Sequence, residues 1–164
     1  MPPIQKITPC LWFDDQAAQA AKFYTEIFKN SRINKVSRYG KEGYEIHHRP
    51  EGSVMTVAFE LDGQAFTALN GGPVFKLNEA ISFQVDCATQ EEVDYYWEKL
   101  SAHPESEQCG WLKDKFGVSW QIIPTAMNKL FSDKDKVKAK RAQQAMLKMK
   151  KLDLKKLRAA FDGK

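Results

Sequence analysis

An α+β fold, built from two tandem βαβββ modules and a C-terminal helical extension, is predicted by three features of this 164-residue chain. The first is an echo between strands. Asp114–Pro124, DKFGVSWQIIP, reads as a turn at Gly117 leading into a strand that alternates Val118, Trp120 and Ile122 with Ser119, Gln121 and Ile123. Leu61–Leu69, LDGQAFTAL, has the same shape, with Gly63 on Gly117, Phe66 on Trp120 and Thr67 on Gln121. The second is an echo between helices: Ala20, Phe23, Tyr24 and Ile27 match Val93, Tyr96, Trp97 and Leu100 at helical spacing. The third is a change of charge. Lys129–Lys164 holds 13 Lys or Arg against 4 Asp or Glu, so a net charge of +9 sits on the tail and −5 on the rest. These features place a paired domain at 1–127, with modules at about 4–72 and 78–127, and a basic helical extension at 128–164.

Taken in order, Ile4–Phe13 reads as a strand with Ile7, Leu11 and Phe13 on one face and Thr8, Cys10 and Trp12 on the other. Pro9, which donates no hydrogen bond, marks an edge or bulge within it. Asp14 and Asp15 offer an N-cap for a helix over Gln16–Phe28. Ile33–Tyr39 and Tyr44–His48 read as strands, and Val54–Leu61 as a strong one with Met55, Val57, Phe59 and Leu61 on one face. Asp62-Gly63 is a hairpin turn into Ala65–Leu69, and Asn70-Gly71-Gly72-Pro73 breaks the chain. Ala80–Val85 then reads as a strand with Ile81, Phe83 and Val85 inward. Thr89 and Glu92 form a capping box for the helix Gln90–Leu100. Cys109–Lys113 and Val118–Ile123 make the closing hairpin, which Pro124 ends. In the tail, Asp133 caps a helix over Lys134–Lys151 and Asp153 caps Leu154–Phe161. The apolar side (Met146, Met149, Leu152, Leu154, Leu157, Phe161) packs on the body or on a second subunit.

Composition narrows the function classes. No apolar run approaches the roughly 20 residues of a membrane span, and the first residues lack a signal-peptide pattern, so no membrane partner is expected. Three cysteines, Cys10, Cys87 and Cys109, with no CxxC pair fit reduced thiols in a cytoplasmic protein. The basic tail lacks aromatic interleaving and any groove-reading motif, which argues against nucleic acid.

The segments GSVMTVAFELDGQAFTALNGGP, ISFQVDCATQEEVDYYWEKL and QCGWLKDKFGVSWQIIP carry a resemblance over nearly all of Ile4–Pro124. The chain resembles the PhnB-like branch of the vicinal oxygen chelate (glyoxalase/bleomycin resistance/dioxygenase) superfamily, a branch often labelled 3-demethylubiquinone 3-methyltransferase-like. The AQQAMLKMKKLDLKKLRAAF tail resembles that branch too. The resemblance implies curved mixed sheets forming a cup, and homodimers. It also implies metal ligands, usually His and Glu, on the first and last strands of each module. Those positions fall at about Thr8, Thr67, Ala80 and Gln121, none of them a good ligand for a divalent transition metal.

The expected reading is therefore a cup without metal or other cofactor, binding a small organic molecule. Strand alternation lines it with Thr8, Cys10, Trp12, Thr67, Leu69, Ser82, Gln84 and Gln121, with Ala80, Ser119 and Ile123 alongside. Trp12 would stack on the ligand while Gln84 and Gln121 hydrogen-bond to it. Two other readings stay open. One is an enzyme on the same cup (a lyase, a dioxygenase or the labelled methyltransferase-like activity), with Glu60 and His47 as acid–base candidates. The other is a tail that docks on a partner. No glycine-rich loop joins a strand to a helix as an S-adenosylmethionine site requires. His103 falls in a loop, and Trp111 and Trp120 read as core.

Overall fold

A computed structural model describes residues 5–164, so Ile4 of the first predicted strand lies outside the described residues. The chain divides into two compact units, one ending at Leu77 and the other spanning Asn78–Lys164.

The first unit runs β1 (Cys10–Phe13), α1 (Ala17–Ile27), β2 (Arg32–Arg38), α2 (Tyr44–His47), β3 (Val54–Leu61) and β4 (Gln64–Asn70). Its sheet order is β1-β4-β3-β2, with β1 parallel to β4 and the other neighbours antiparallel. The hairpin between β3 and β4 forms because Asp62 and Gly63 both take positive φ, 48° and 78°, as a two-residue turn with right-handed strand twist demands. Leu11, Phe13, Val57, Phe59, Leu61, Phe66 and Ala68 turn to one side of the sheet and are buried with Ala17, Ala20, Ala21, Tyr24 and Ile27 of α1. Each fully buried large side chain among them contributes about 1.5–3 kcal/mol.

Three expectations in this unit are corrected. The first strand begins at Cys10, leaving Thr8 exposed ahead of it and Ile7 85% exposed. Upstream of Pro9 the Gln5 side chain takes over, bonding both the N–H and the carbonyl of Ala65 at 3.0 and 3.1 Å. Asp14 and Asp15 do not cap α1. The buried Asn70 side chain does so from the end of β4, its Oδ1 accepting from the Ala17 N–H at 2.8 Å and its Nδ2 donating to the Val54 carbonyl. Tyr44–His48 is no strand: α2 is a short helix bounded by Gly43 and His48, both left-handed, and the Gly43 carbonyl closes it by accepting from Ile46 and His47. Locally satisfied backbone groups leave none for a ladder.

The second unit runs β5 (Ser82–Cys87), α3 (Gln90–Leu100), β6 (Trp111–Lys113), β7 (Ser119–Pro124), α4 (Ala126–Phe131), α5 (Lys136–Met146) and α6 (Leu154–Asp162). The sheet order β5-β7-β6 repeats β1-β4-β3, with β5 parallel to β7 and β6 antiparallel to it. This module carries three strands among the described residues. A 3-10 turn at Pro104–Ser106 lies in the connection that holds β2 in the first unit. Thr89 caps α3 as expected, accepting from Glu92 N–H, while the Glu92 carboxylate reaches the Ala88 N–H at 2.7 Å. The inward set is shifted: β5 begins at Ser82, Ile81 is 74% exposed, and Phe83, Val85 and the fully buried Cys87 face the α3 side with Trp120 and Ile122.

Turn Asp114–Gly117 is held by one carboxylate. Asp114 is fully buried; its Oδ1 accepts from Phe116 and Val118 N–H groups at 2.8 and 3.1 Å, and its Oδ2 from the Trp120 indole at 2.8 Å. Gly117, at φ 89°, completes the reversal.

The tail packs on its own unit. Ile123, Met127, Leu152 and Leu157 form a buried cluster with Leu130, Phe131, Ala145, Met146 and Met149 around it. Backbone bonds reinforce it: Cys109 and Gly110 N–H groups donate to the Met149 and Lys150 carbonyls, both at 2.8 Å. Gln90 donates to the Leu152 carbonyl and accepts from Leu154 N–H. Asp153 caps α6 as expected, but Asp135, not Asp133, caps the preceding helix, which is shorter than expected and ends at Met146. Asp133 instead accepts from the Asp135 N–H, fixing the extended residue that a cap requires. The Lys151 ammonium lies 2.6 Å from Asp94 and holds that carboxyl below the usual aspartate range. This contribution is present above the ordinary aspartate pKa and is lost as pH falls through the depressed one.

Burial pushes the Cys87 thiol up to about 12, with the charges of Glu92 and Asp86 adding to the shift. The folded state therefore keeps this thiol protonated where the unfolded chain, ionising near about 8.5, does not. The associated stability is full below that value and declines as pH rises toward 12. Iodoacetamide at mildly alkaline pH is expected to spare Cys87 in the native protein and modify it in urea. Rapid native modification, read by mass spectrometry, would contradict this burial.

Candidate functional site

Strand alternation gives each sheet a face turned away from its first helix. In the first unit the in-register pairs Cys10–Thr67 and Trp12–Leu69 bring β1 and β4 together. The pairs Ala58–Thr67, Thr56–Leu69 and Glu60–Ala65 extend that face onto β3. Trp12, Thr56, Ala58, Thr67 and Leu69 are half-buried there, and Cys10 is exposed. Partial desolvation by its neighbours on the sheet still raises the Cys10 thiol pKa, so it is a poor nucleophile near neutrality. In the second unit the pairs Ser82–Ser119 and Gln84–Gln121 put those four residues on one face, with Trp111 opposite Gln121. Gln121 Nε2 donates to Ser82 Oγ at 2.9 Å, while Gln84 is exposed and donates to Asp86. Ala80 and Thr8 lie outside the strands, and Ile123, expected with the lining, is buried under the tail. Trp120, 3% exposed against Phe83, is core as expected.

Both acid–base candidates carry polar partners. Glu60 takes Arg32 at 2.9 Å and Asn34 Nδ2 at 2.9 Å, a network along the β2–β3 edge. His47 accepts the Arg49 N–H at Nδ1, and its Nε2 bonds the Glu42 carbonyl at 3.2 Å; its ring lies 4.5 Å from that of Tyr39. With both nitrogens on backbone groups, the imidazole braces α2.

Trp12 is the large aromatic group on the first face, and the residues after β4 hold it. Its indole N–H donates to the Gly72 carbonyl at 2.8 Å, Gly71 lies against its six-membered ring, and Phe75 meets it at 4.9 Å with the rings inclined by 76°. A β-carbon on Gly71 would collide with the Trp12 six-membered ring. Gly71→Ala is therefore expected to displace the indole and destabilise the first unit by about 1–3 kcal/mol. Urea unfolding checks the loss and tryptophan emission checks the displacement; an unchanged midpoint and spectrum would refute the packing.

A family model described as 3-demethylubiquinone-9 3-methyltransferase matches residues 5–123. The chain belongs to that family. The PhnB protein from Bacillus cereus is similar at 37% identity, over 74% of this chain and 100% of that one, with a TM-score of 0.61. Protein PA1353 from Pseudomonas aeruginosa, 16% identical over 74% of this chain and 98% of its own, shares the fold at a TM-score of 0.55. A protein from Staphylococcus aureus is 29% identical over 73% of this chain and 95% of its own, at a TM-score of 0.33. A search among curated proteins finds no match.

The superfamily resemblance read from the sequence implies a metal held on the first and last strands of each module. The donor chemistry here does not fit one. The pattern positions offer hydroxyls, a methyl group and an amide, and Gln121 is already bonded to Ser82. Among the described residues no three His, Cys, Asp or Glu side chains converge to hold an ion. Sequence reasoning missed Asn70, Gly71 and Phe75. The NGGP break was visible, but a loop's contacts with a strand tens of residues upstream leave no local pattern.

Proposed function

We propose that this PhnB-like protein is a cytoplasmic binder of a small neutral organic molecule, held without a metal against the open face of Cys10, Trp12, Thr67 and Leu69. The second module carries its own neutral polar face of Ser82, Gln84 and Gln121. The observation that carries the reading is the composition of these faces: neutral hydroxyls and amides, an indole on each, and, among the described residues, no group of three His, Cys, Asp or Glu side chains that could hold an ion. Methyl transfer, the activity in the family description, is not supported. Gly71 and Gly72, the glycines nearest to a nucleotide-type loop, are spent on packing against Trp12 and bonding its N–H.

Elemental analysis of untagged protein offered Mn, Fe, Ni and Zn tests the metal-free half. No stoichiometric retention is expected; one firmly held ion per chain would overturn it. A thermal-shift screen of neutral organic molecules tests the binding half. A ligand at about 100 times its Kd stabilises by about 2.7 kcal/mol, and Trp12→Ala should abolish the shift.

A further inference from the structure

Phe75 is 63% exposed and its neighbour Val74 75% exposed, an apolar pair left to solvent in the segment after β4. The Phe75 ring does not stand alone. It meets the Trp12 indole at 4.9 Å and 76°, so two aromatic planes form a corner at the edge of the first unit's open face. Gly71 against one part of the indole and the N–H bond to Gly72 fix the Trp12 side of that corner. A planar ring laid along the exposed side of Phe75 meets Trp12 edge to face, the arrangement that aromatic quadrupoles favour. A saturated ring gains neither contact.

A polar group lies within reach. Trp12 pairs with Leu69, and Thr67, which pairs with Cys10, is two residues before Leu69 on the same face of β4. Its hydroxyl makes no side-chain hydrogen bond among the described residues.

Resting on the binding function proposed above, we infer that the ligand is a flat aromatic molecule with a hydroxyl or carbonyl, and that Phe75 is the residue selecting for its planarity. Trp12 forms the other wall of the corner, and Thr67 takes the polar group.

The test compares 1-naphthol with its saturated counterpart, decahydro-1-naphthol, on the full-length protein by calorimetric titration. The Trp12 indole N–H resonance, assigned by its loss in Trp12→Phe, reports the site. The wild type should bind 1-naphthol with a shift of that resonance and bind the saturated alcohol several-fold more weakly. Phe75→Ala should weaken 1-naphthol roughly three- to tenfold, as expected for a lost aromatic pair, and Phe75→Trp should preserve it. Phe75→Ala, which loses the edge contact with Trp12, should lower the melting temperature only slightly, and Phe75→Trp should keep it. Equal affinity for the two alcohols, or wild-type affinity in Phe75→Ala, would overturn the inference and leave the binding function standing. If Phe75→Ala instead turns a dimer into a monomer in the ultracentrifuge, the ring belongs to a contact with a second copy and the inference falls. If the wild type binds neither alcohol nor any neutral compound in the thermal-shift screen, the binding function falls as well.

Discussion

Asp114→Ala is expected to cost about 3–5 kcal/mol of folding free energy, a large share of the 5–15 kcal/mol typical of a domain. The residue is fully buried, and the substitution strands three donors at once: the N–H groups of Phe116 and Val118 and the Trp120 indole. Each buried donor left without a partner costs about 1–3 kcal/mol, offset in part where water enters the new cavity. Asp114→Asn separates charge from shape. It keeps the volume but must turn an amide N–H toward at least one of those donors, so an intermediate loss of about 1–2 kcal/mol is expected. Urea unfolding followed by tryptophan emission reads both, because Trp120 sits in the network. If the alanine variant unfolds at the wild-type midpoint, the carboxylate is not what shapes this turn. The consequence reaches the candidate site, since β7 carries Ser119 and Gln121 directly after the turn.

The second large effect is expected at Leu152. This side chain is fully buried against Ile123, Met127 and Leu157. Leu152→Ala should cost about 2–5 kcal/mol, the range for a buried leucine whose surroundings relax only in part. The loss should be local in its first expression. Leu152 lies in the segment that bonds Gln90 and leads into α6, so α5 and α6 should lose amide-exchange protection while β3 and β4 keep theirs. Exchange that rises equally in β3, β4 and the tail would show the extension to be an inseparable part of one cooperative unit. Tryptic cleavage gives a second readout, because the solvated side of the tail is rich in lysine.

What the sequence determined by itself was everything that acts over a few residues. Two positive-φ residues at Asp62-Gly63 specify a tight hairpin wherever they occur between strands. Thr89 with Glu92, and Asp153 with the N–H of Lys156, cap helices through contacts three residues apart. Period-two alternation in β3, β4 and β7 set which side chains share a face. The duplication of these local signals made the two-module plan legible.

Tertiary structure decided the rest, because the partners are distant in sequence and compete with local alternatives. The cap of α1 comes from Asn70, 53 residues beyond Ala17, so the nearer Asp14 and Asp15 were the natural but wrong expectation. Tyr44–His48 alternates like a strand, yet its backbone groups bond within a helical turn, braced by His47. Ile123 sits on the polar side of β7 by alternation but is covered by Leu152 and Leu157 of the tail. Glu60 looks free in sequence and is bound to Arg32 and Asn34 in the fold. The faces of the candidate site were therefore readable from period and residue type. Which groups on them are already engaged was not, because that depends on the satisfaction of hydrogen bonds and apolar surface by residues the chain brings in from elsewhere.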